Sequence, residues 1–118
     1  MRGQRNFHAG RAAEDIVARR FEGQGHRVLA RRWRGQGGEI DLVTIRDGEV
    51  SFIEVKASRD FARAAWSLGQ RQMRRILAAG EEFLGTQPRG SLTPCRFDLA
   101  LVDGRGACEI VENAFLDA

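Results

Sequence analysis

The stretch Glu39-Ile40-Asp41-Leu42-Val43-Thr44-Ile45-Arg46-Asp47-Gly48-Glu49-Val50-Ser51-Phe52-Ile53-Glu54-Val55-Lys56 decides how this chain folds. Apolar and β-branched residues flank Asp47-Gly48, a dipeptide well suited to close a two-residue hairpin turn. Two strands follow, 39–46 and 49–56. Side chains alternate along a strand, so Glu39, Asp41, Val43 and Ile45 share one face, as do Val50, Phe52, Glu54 and Lys56. A two-residue turn pairs Arg46 with Glu49 and fixes the register outward. Ile45 then faces Val50, Val43 faces Phe52, Asp41 faces Glu54, and Glu39 faces Lys56. Both sets lie on the same side of the sheet. A bulge in the hairpin would move Asp41 off Glu54.

This register sets two carboxylates opposite each other, roughly 5 Å apart at Cβ, an arrangement that is destabilising by itself. It is tolerated in open solvent, with one carboxyl protonated, or with a cation between the two. A hard divalent cation such as Mg²⁺ takes one or two such carboxylates and keeps waters in its other positions. A surface salt-bridge ladder is the ordinary alternative, and it fits poorly with Val43, Ile45 and Phe52 on the same face. The cluster lies at the end of a strand face that is otherwise core.

Lys56 is the only lysine, against eighteen arginines. A guanidinium keeps its proton above roughly pH 12 and cannot act as a compact, titratable ammonium beside a reacting group. The bland reading is that one lysine must fall somewhere, but its neighbours here are Glu54 and, across the hairpin, Asp41 and Glu39.

Outward from the hairpin, Ala13, Ile16, Val17 and Phe21 recur at helical spacing and predict a helix over 9–22 ended by Gly23 and Gly25. Residues 27–33 predict a strand and Gly35-Gln36-Gly37-Gly38 a turn. Leu68, Met73, Ile76, Leu77, Phe83 and Leu84 predict a second helix over 66–84. Strands over 95–102 and 107–112 flank Asp103-Gly104, after a loop over 85–94. The order is αβββαββ, an α/β or α+β single domain over 1–118 with a mixed sheet flanked by helices. A parallel crossover through the second helix joins strands 49–56 and 95–102.

At 118 residues, 42% of them hydrophobic, the chain suits one folded core. No apolar run approaches the ~20 residues of a membrane span, and no apolar signal core follows Met1, so a cytoplasmic protein without membrane association is expected. Cys95 and Cys108 lack zinc-site spacing and read as core thiols. Nine arginines against three acids occupy residues 1–38, and Arg59, Arg63, Arg71, Arg74 and Arg75 form a second cluster. Basic stretches around an acidic centre fit a metal site set in phosphate-binding surface. On charge alone, ordinary solvated faces of an arginine-rich chain are the better account. Glu14 borders the buried stripe of the first helix, and Gln72 lies four residues before Ile76. Each can join the cluster or simply be solvated.

Gly38-Glu39-Ile40-Asp41-Leu42-Val43 followed by Phe52-Ile53-Glu54-Val55-Lys56 resembles the active-site pattern of the PD-(D/E)XK nuclease superfamily. That superfamily has the restriction-endonuclease-like fold, shared with archaeal Holliday-junction resolvases. The whole chain is similar to the bacterial YraN family. This likeness runs from Gly10-Arg11-Ala12-Ala13-Glu14 through Arg34-Gly35-Gln36-Gly37-Gly38-Glu39 to Arg96-Phe97-Asp98 and the closing Glu112-Asn113-Ala114-Phe115. The resemblance implies a metal-dependent nuclease using Mg²⁺, with Mn²⁺ able to substitute. Asp41, Glu54 and the Val55 carbonyl would hold the metal, while Glu14 and Glu39 would reach it through water. Lys56 would orient or activate the attacking water and stabilise transition-state charge. Gln72 matches a helix position where such nucleases carry Gln or Lys.

Arg11, Arg31, Arg32, Arg34, Arg59, Arg71 and Arg75 are the expected nucleic-acid contacts. Trp33 either stacks on a base or packs in the core, and core packing is the preferred role. The chain departs from its relatives at Ser58, where they carry arginine, with Arg59 one residue on. It departs again at Phe61-Ala62, where they carry Phe-Gly. DNA, branched or damaged, is the favoured substrate over RNA, and a homodimer would supply two active sites to a branched one. The alternatives are a nucleic-acid-binding module without turnover and an interaction protein whose acidic hairpin meets a basic partner.

Overall fold

The computed structural model describes residues 2–57 and 69–114, with the backbone alone for 2–9. Helix α1 spans Arg2–Gly23, followed by strands β1 (Arg27–Arg34), β2 (Glu39–Arg46) and β3 (Glu49–Ala57). Helix α2 spans Gln70–Leu84, and β4 (Cys95–Val102) and β5 (Cys108–Val111) complete the sheet. The expected order αβββαββ is the observed one. Arg59, the departures at Ser58 and Phe61-Ala62, residues 66–68 of the expected second helix, and Phe115 lie outside the described residues.

The sheet runs β1-β2-β3-β4-β5. Only β3 and β4 are parallel, joined by the crossover that contains α2. Asp47 (φ 52°) and Gly48 (φ 81°) both take left-handed backbone, as a type I′ turn requires. The hairpin register is the expected one over Leu42↔Ile53, Val43↔Phe52, Ile45↔Val50 and Arg46↔Glu49.

Each sheet face carries a helix and a core. On one face Ala13, Val17, Ala18 and Phe21 of α1 pack on Leu42 and Ile53. On the other, Ile76, Ala79 and Phe83 of α2 pack on Val43, Val50 and Phe52. Phe52 stacks on Phe97 at 4.9 Å and meets Phe83 edge-on at 5.8 Å. Truncating a ring buried this way costs about 3–5 kcal/mol. Trp33 is half-buried against this same core, edge-on to Phe83.

Several boundaries differ from expectation, among them the start of α2, which is Gln70 rather than 66, with Gly69 extended before it. Helix α1 starts at Arg2 rather than at 9. Its first turns carry good helix formers such as Arg2, Gln4 and Arg5 without an apolar stripe, so periodicity could not mark them. Residues 90–92 of the loop close a single 3-10 turn. Strand β5 is shorter at both ends than 107–112, because Asp103 Oδ1 accepts the Ala107 N–H and keeps that residue in the turn. Among the described residues no helix is long and apolar enough to cross a membrane.

Candidate active site

The ladder between β2 and β3 stops at Leu42↔Ile53, while β3 continues along β4 from Glu54↔Leu99 to Ala57↔Val102. Strict alternation also fails at this point. Ile40 and Val43 both join the α2-side core, while Leu42 packs under α1. Asp41 lies at this irregularity, and its Oδ2 accepts the Val55 N–H at 2.8 Å. A side-chain carboxylate thus takes the place of a strand carbonyl in the gap between the two strands. Asp41 also hydrogen-bonds the Glu54 carboxyl, so the two acids are neighbours, although the ladder stops one pair short of the expected Asp41–Glu54 pair.

Glu54 is only 5% exposed. Burial, and then the hydrogen bond and negative charge of Asp41, push its carboxyl from 4.5 up to about 9. Lys56 and Gln72 oppose that rise without cancelling it. Gln72 links the other two groups: its Nε2 donates to Glu54 Oε2 at 2.6 Å and its Oε1 accepts from Lys56 Nζ at 3.2 Å. The helix residue named from its spacing therefore holds both the acid and the amine of β3. Lys56 does not face Glu39 as the extrapolated register had it. With the ladder ended, Glu39 pairs with Arg34 at 3.1 Å and Lys56 turns to Gln72.

Glu14 and Arg32 stand beside this centre and engage each other. Arg32 Nε donates to both carboxylate oxygens of the buried Glu14, at 3.0 and 3.2 Å. Neighbouring pairs place Arg32 opposite Asp41 in the β1/β2 ladder, with a left-handed backbone (φ 51°) that a bulky residue adopts at some strain. Glu14 therefore reaches the centre through a guanidinium. Arg31 pairs with Asp15 at the surface, and Arg11 is exposed on α1.

The donor set offers a hard cation two neighbouring carboxyls, Asp41 and Glu54, the second held above the usual range by burial and by Asp41. Among the described residues no three acids, histidines or cysteines form a side-chain cage. A cation here would keep coordination positions for backbone, water and substrate oxygens, as Mg²⁺ does.

Two participants carry no local signal in the sequence. Glu82 accepts the N–H groups of Gln36 and Gly37, both at 3.0 Å, and so clasps the Gly35–Gly38 turn to α2. The glycine run announced a turn but not this partner 46 and 45 residues away. Asp98, fully buried, accepts from Arg96 Nε and the Asn113 N–H, tying the chain's last described residues to β4.

Comparison with known proteins matches residues 13–102 to the model of the uncharacterised protein family UPF0102. A UPF0102 protein of Ruegeria pomeroyi is 61% identical over 114 residues, covering 97% of this chain and 93% of that protein. One from Cereibacter sphaeroides is 55% identical over 115 residues, covering 98% of each. One from Azorhizobium caulinodans is 47% identical over 106 residues, covering 90% of this chain and 81% of that protein. The match spans the helix that carries Glu14, the hairpin with Asp41, Glu54 and Lys56, and the helix with Gln72, and the chain belongs to the UPF0102 family, the YraN family that its motifs resemble.

Proposed function

We propose that this protein is a metal-dependent phosphodiesterase acting on nucleic acid, with DNA the favoured substrate. The observation that carries the reading is the pair of the half-buried Asp41 and buried Glu54 carboxyls at the point where β2 and β3 part, with Lys56 fixed beside it by Gln72. Asp41, Glu54 and the Val55 carbonyl would hold Mg²⁺ or Mn²⁺. The ion would supply Lewis acidity toward the phosphate and lower the pKa of a water. Gln72 holds the Glu54 carboxyl and the Lys56 ammonium at once, so the acid and the amine keep one relative geometry. Lys56 Nζ has further N–H donors to offer an oxygen of the scissile phosphate, where negative charge grows as the water oxygen bonds to phosphorus. The bridging P–O bond breaks, the water gives up a proton, and the leaving oxygen gains one. Arg32, joined to Glu14, adds fixed positive charge opposite Asp41.

The test is cleavage of single-stranded, duplex, flapped and four-way-junction DNA and RNA, with Mg²⁺, Mn²⁺ or EDTA, by wild type, Lys56→Ala and Lys56→Arg. The reading expects cutting that needs metal and is lost in both variants while binding is kept, because a planar guanidinium does not replace the compact ammonium. Cutting that survives in EDTA, or in Lys56→Ala, sinks it. A nucleic-acid-binding module without turnover is the second reading. It is favoured by the sparse side-chain donor set and by Glu14 being engaged with Arg32, and it expects binding with no cutting by folded wild type.

A further inference from the structure

Three cavities adjoin at the entrance to the carboxyl pair. The first, about 490 Å³, reaches Glu54 and Gln72. The second, about 470 Å³, lies along Arg71, Arg74 and Arg75 of α2. The third, about 350 Å³, lies over the Gly35–Gly38 turn toward Arg34. Arg75 lines all three. Their shared lining joins them into one groove, acidic at Glu54 and Glu39 and basic along Arg71, Arg74 and Arg75.

The basic part is built at a cost. Arg71, Arg74 and Arg75 are spaced i, i+3 and i+4, so they share one edge of α2, where like charges oppose one another. All three are exposed, and none pairs with a carboxylate of the described residues. Across from them the turn is pressed onto the helix. A Cβ at Gly38 would lie 2.8 Å from the Arg75 carbonyl oxygen, and one at Gly37 2.8 Å from the Ala78 Cβ. Only glycine lets this wall approach so closely, and the Glu82 clasp holds it there. Glu82 occupies the N–H groups of Gln36 and Gly37, so the charged donors the groove offers are the guanidiniums of Arg71, Arg74 and Arg75.

We infer that this groove is the track of a nucleic-acid strand, which leaves the carboxyl pair along Arg71, Arg74 and Arg75, passes the Gly35–Gly38 turn, and carries at least two phosphates beyond the one at the centre. The inference rests on the reading proposed above and specifies it. The substrate is a continuous strand, and a lone nucleotide or terminal phosphate would leave most of the groove empty. Arg74, at the middle of the edge, is a contact in its own right.

The test measures binding of fluorescent single-stranded oligonucleotides in EDTA by anisotropy, across a salt series. The groove variant is Arg71→Gln/Arg74→Gln/Arg75→Gln. The control, Arg19→Gln/Arg89→Gln/Arg105→Gln, removes the same charge from exposed positions outside the groove. Each phosphate contact on a single strand contributes about 0.7 to the slope of log affinity against log salt. For two to three contacts the groove variant should therefore lose about 1.4 to 2 from the slope, with at least a tenfold loss of affinity near 0.1 M salt. The control should keep the wild-type slope. Wild-type affinity should rise from dinucleotide to tetranucleotide, and the groove variant's should stay flat.

An unchanged slope in the groove variant, or an equal fall in the control, overturns the track. Cleavage assays on the same proteins separate the two ideas. A lower slope together with no cutting of any substrate keeps the track and removes the phosphodiesterase. Cutting by a groove variant that also binds like wild type keeps the phosphodiesterase and removes the track.

Discussion

Glu54→Gln should make the metal-free protein more stable, and increasingly so as pH rises. The Glu54 carboxyl titrates near 4.5 in the unfolded chain and at about 9 in the fold, where burial and Asp41 oppose its charge. The unfolded state therefore releases a proton that the folded state keeps, throughout the interval between those values. For a group with a raised folded pKa, stability is fully present below 4.5 and is lost as pH rises toward 9. Each pH unit in that interval costs about 1.4 kcal/mol, so the site forfeits about 3 kcal/mol at pH 7. The amide of the Glu54→Gln variant is neutral at every pH. It can donate to Asp41 and accept from Gln72, so it keeps the contacts without the penalty. Urea melts of both proteins in EDTA at pH 5, 6, 7 and 8 are the assay. Their difference cancels His26 and Asp98, which also titrate with burial. The variant's advantage should grow by about 1.4 kcal/mol per pH unit. Added Mg²⁺ should then stabilise wild type and leave the variant nearly unmoved, because only wild type has the second carboxylate to ionise. A difference that is flat with pH would refute the account of the carboxyl pair.

Three further perturbations follow from the packing around the site. Gly80→Ala removes a helix-interior glycine, worth about 1 kcal/mol, but its Cβ would meet Phe97 at 2.7 Å where that ring is stacked on Phe52. Overpacking of about 1–3 kcal/mol prevails, and a thermal melt should show a lower Tm. Glu82→Ala frees two N–H groups of the Gly35–Gly38 turn and should cost about 1 kcal/mol in a urea melt, with faster hydrogen exchange confined to that turn. Arg32→Asn relieves about 1 kcal/mol of left-handed backbone strain but strands the buried Glu14 carboxylate at about 3 kcal/mol. The variant should be destabilised by the difference, and Glu14→Gln in the same chain should recover most of the loss in stability, as the same melts would show.

The hairpin was legible because its information is local. Asp47-Gly48 dictates a type I′ turn and the turn dictates the register as far as Leu42↔Ile53, which leaves Asp41 and Glu54 as the next residues at the end of the ladder. The parallel β3–β4 pair was legible for a related reason, since a crossover holding a helix has few other ways to return. What stayed hidden depends on contacts between distant segments. Alternation assigns Asp41 a face only while the strand stays paired. At Ile40 and Asp41 the pairing ends, and the carboxylate instead takes a backbone N–H of the neighbouring strand. Arg32 was expected as a phosphate contact, and nothing local shows that Glu14, 18 residues earlier, accepts its Nε. The second helix offered an apolar stripe whose described part, Met73 to Leu84, packs on the sheet, and an arginine edge of which Arg71 and Arg75 were expected as nucleic-acid contacts by resemblance while charge alone favoured ordinary solvated surface. Its meaning came from what the fold places across from it.

That juxtaposition bears on why the site is arranged as it is. A chain selected only to be stable would pair its excess acids with its excess arginines. Arg71 and Arg75 line the same cavity as Glu54, yet the partner Glu54 receives is the neutral amide of Gln72. The two carboxyls are left to share a proton at one end of the groove and the guanidiniums to oppose one another along its side. Direct pairing across that short distance would neutralise both clusters and also fill the cavity with side chains. Keeping the signs apart leaves room for a bridging occupant with the opposite distribution: positive at the carboxyl pair and a run of negative charges beyond it. A hard cation with a phosphodiester strand has that distribution. A purely acidic docking surface would gain nothing from Arg71, Arg74 and Arg75, and a purely basic one would be weakened by a buried carboxyl pair that repels phosphate. Gln72, which holds Glu54 with one end of its amide and Lys56 with the other, stands where the two fields meet, and it can hold both because it carries no charge of its own.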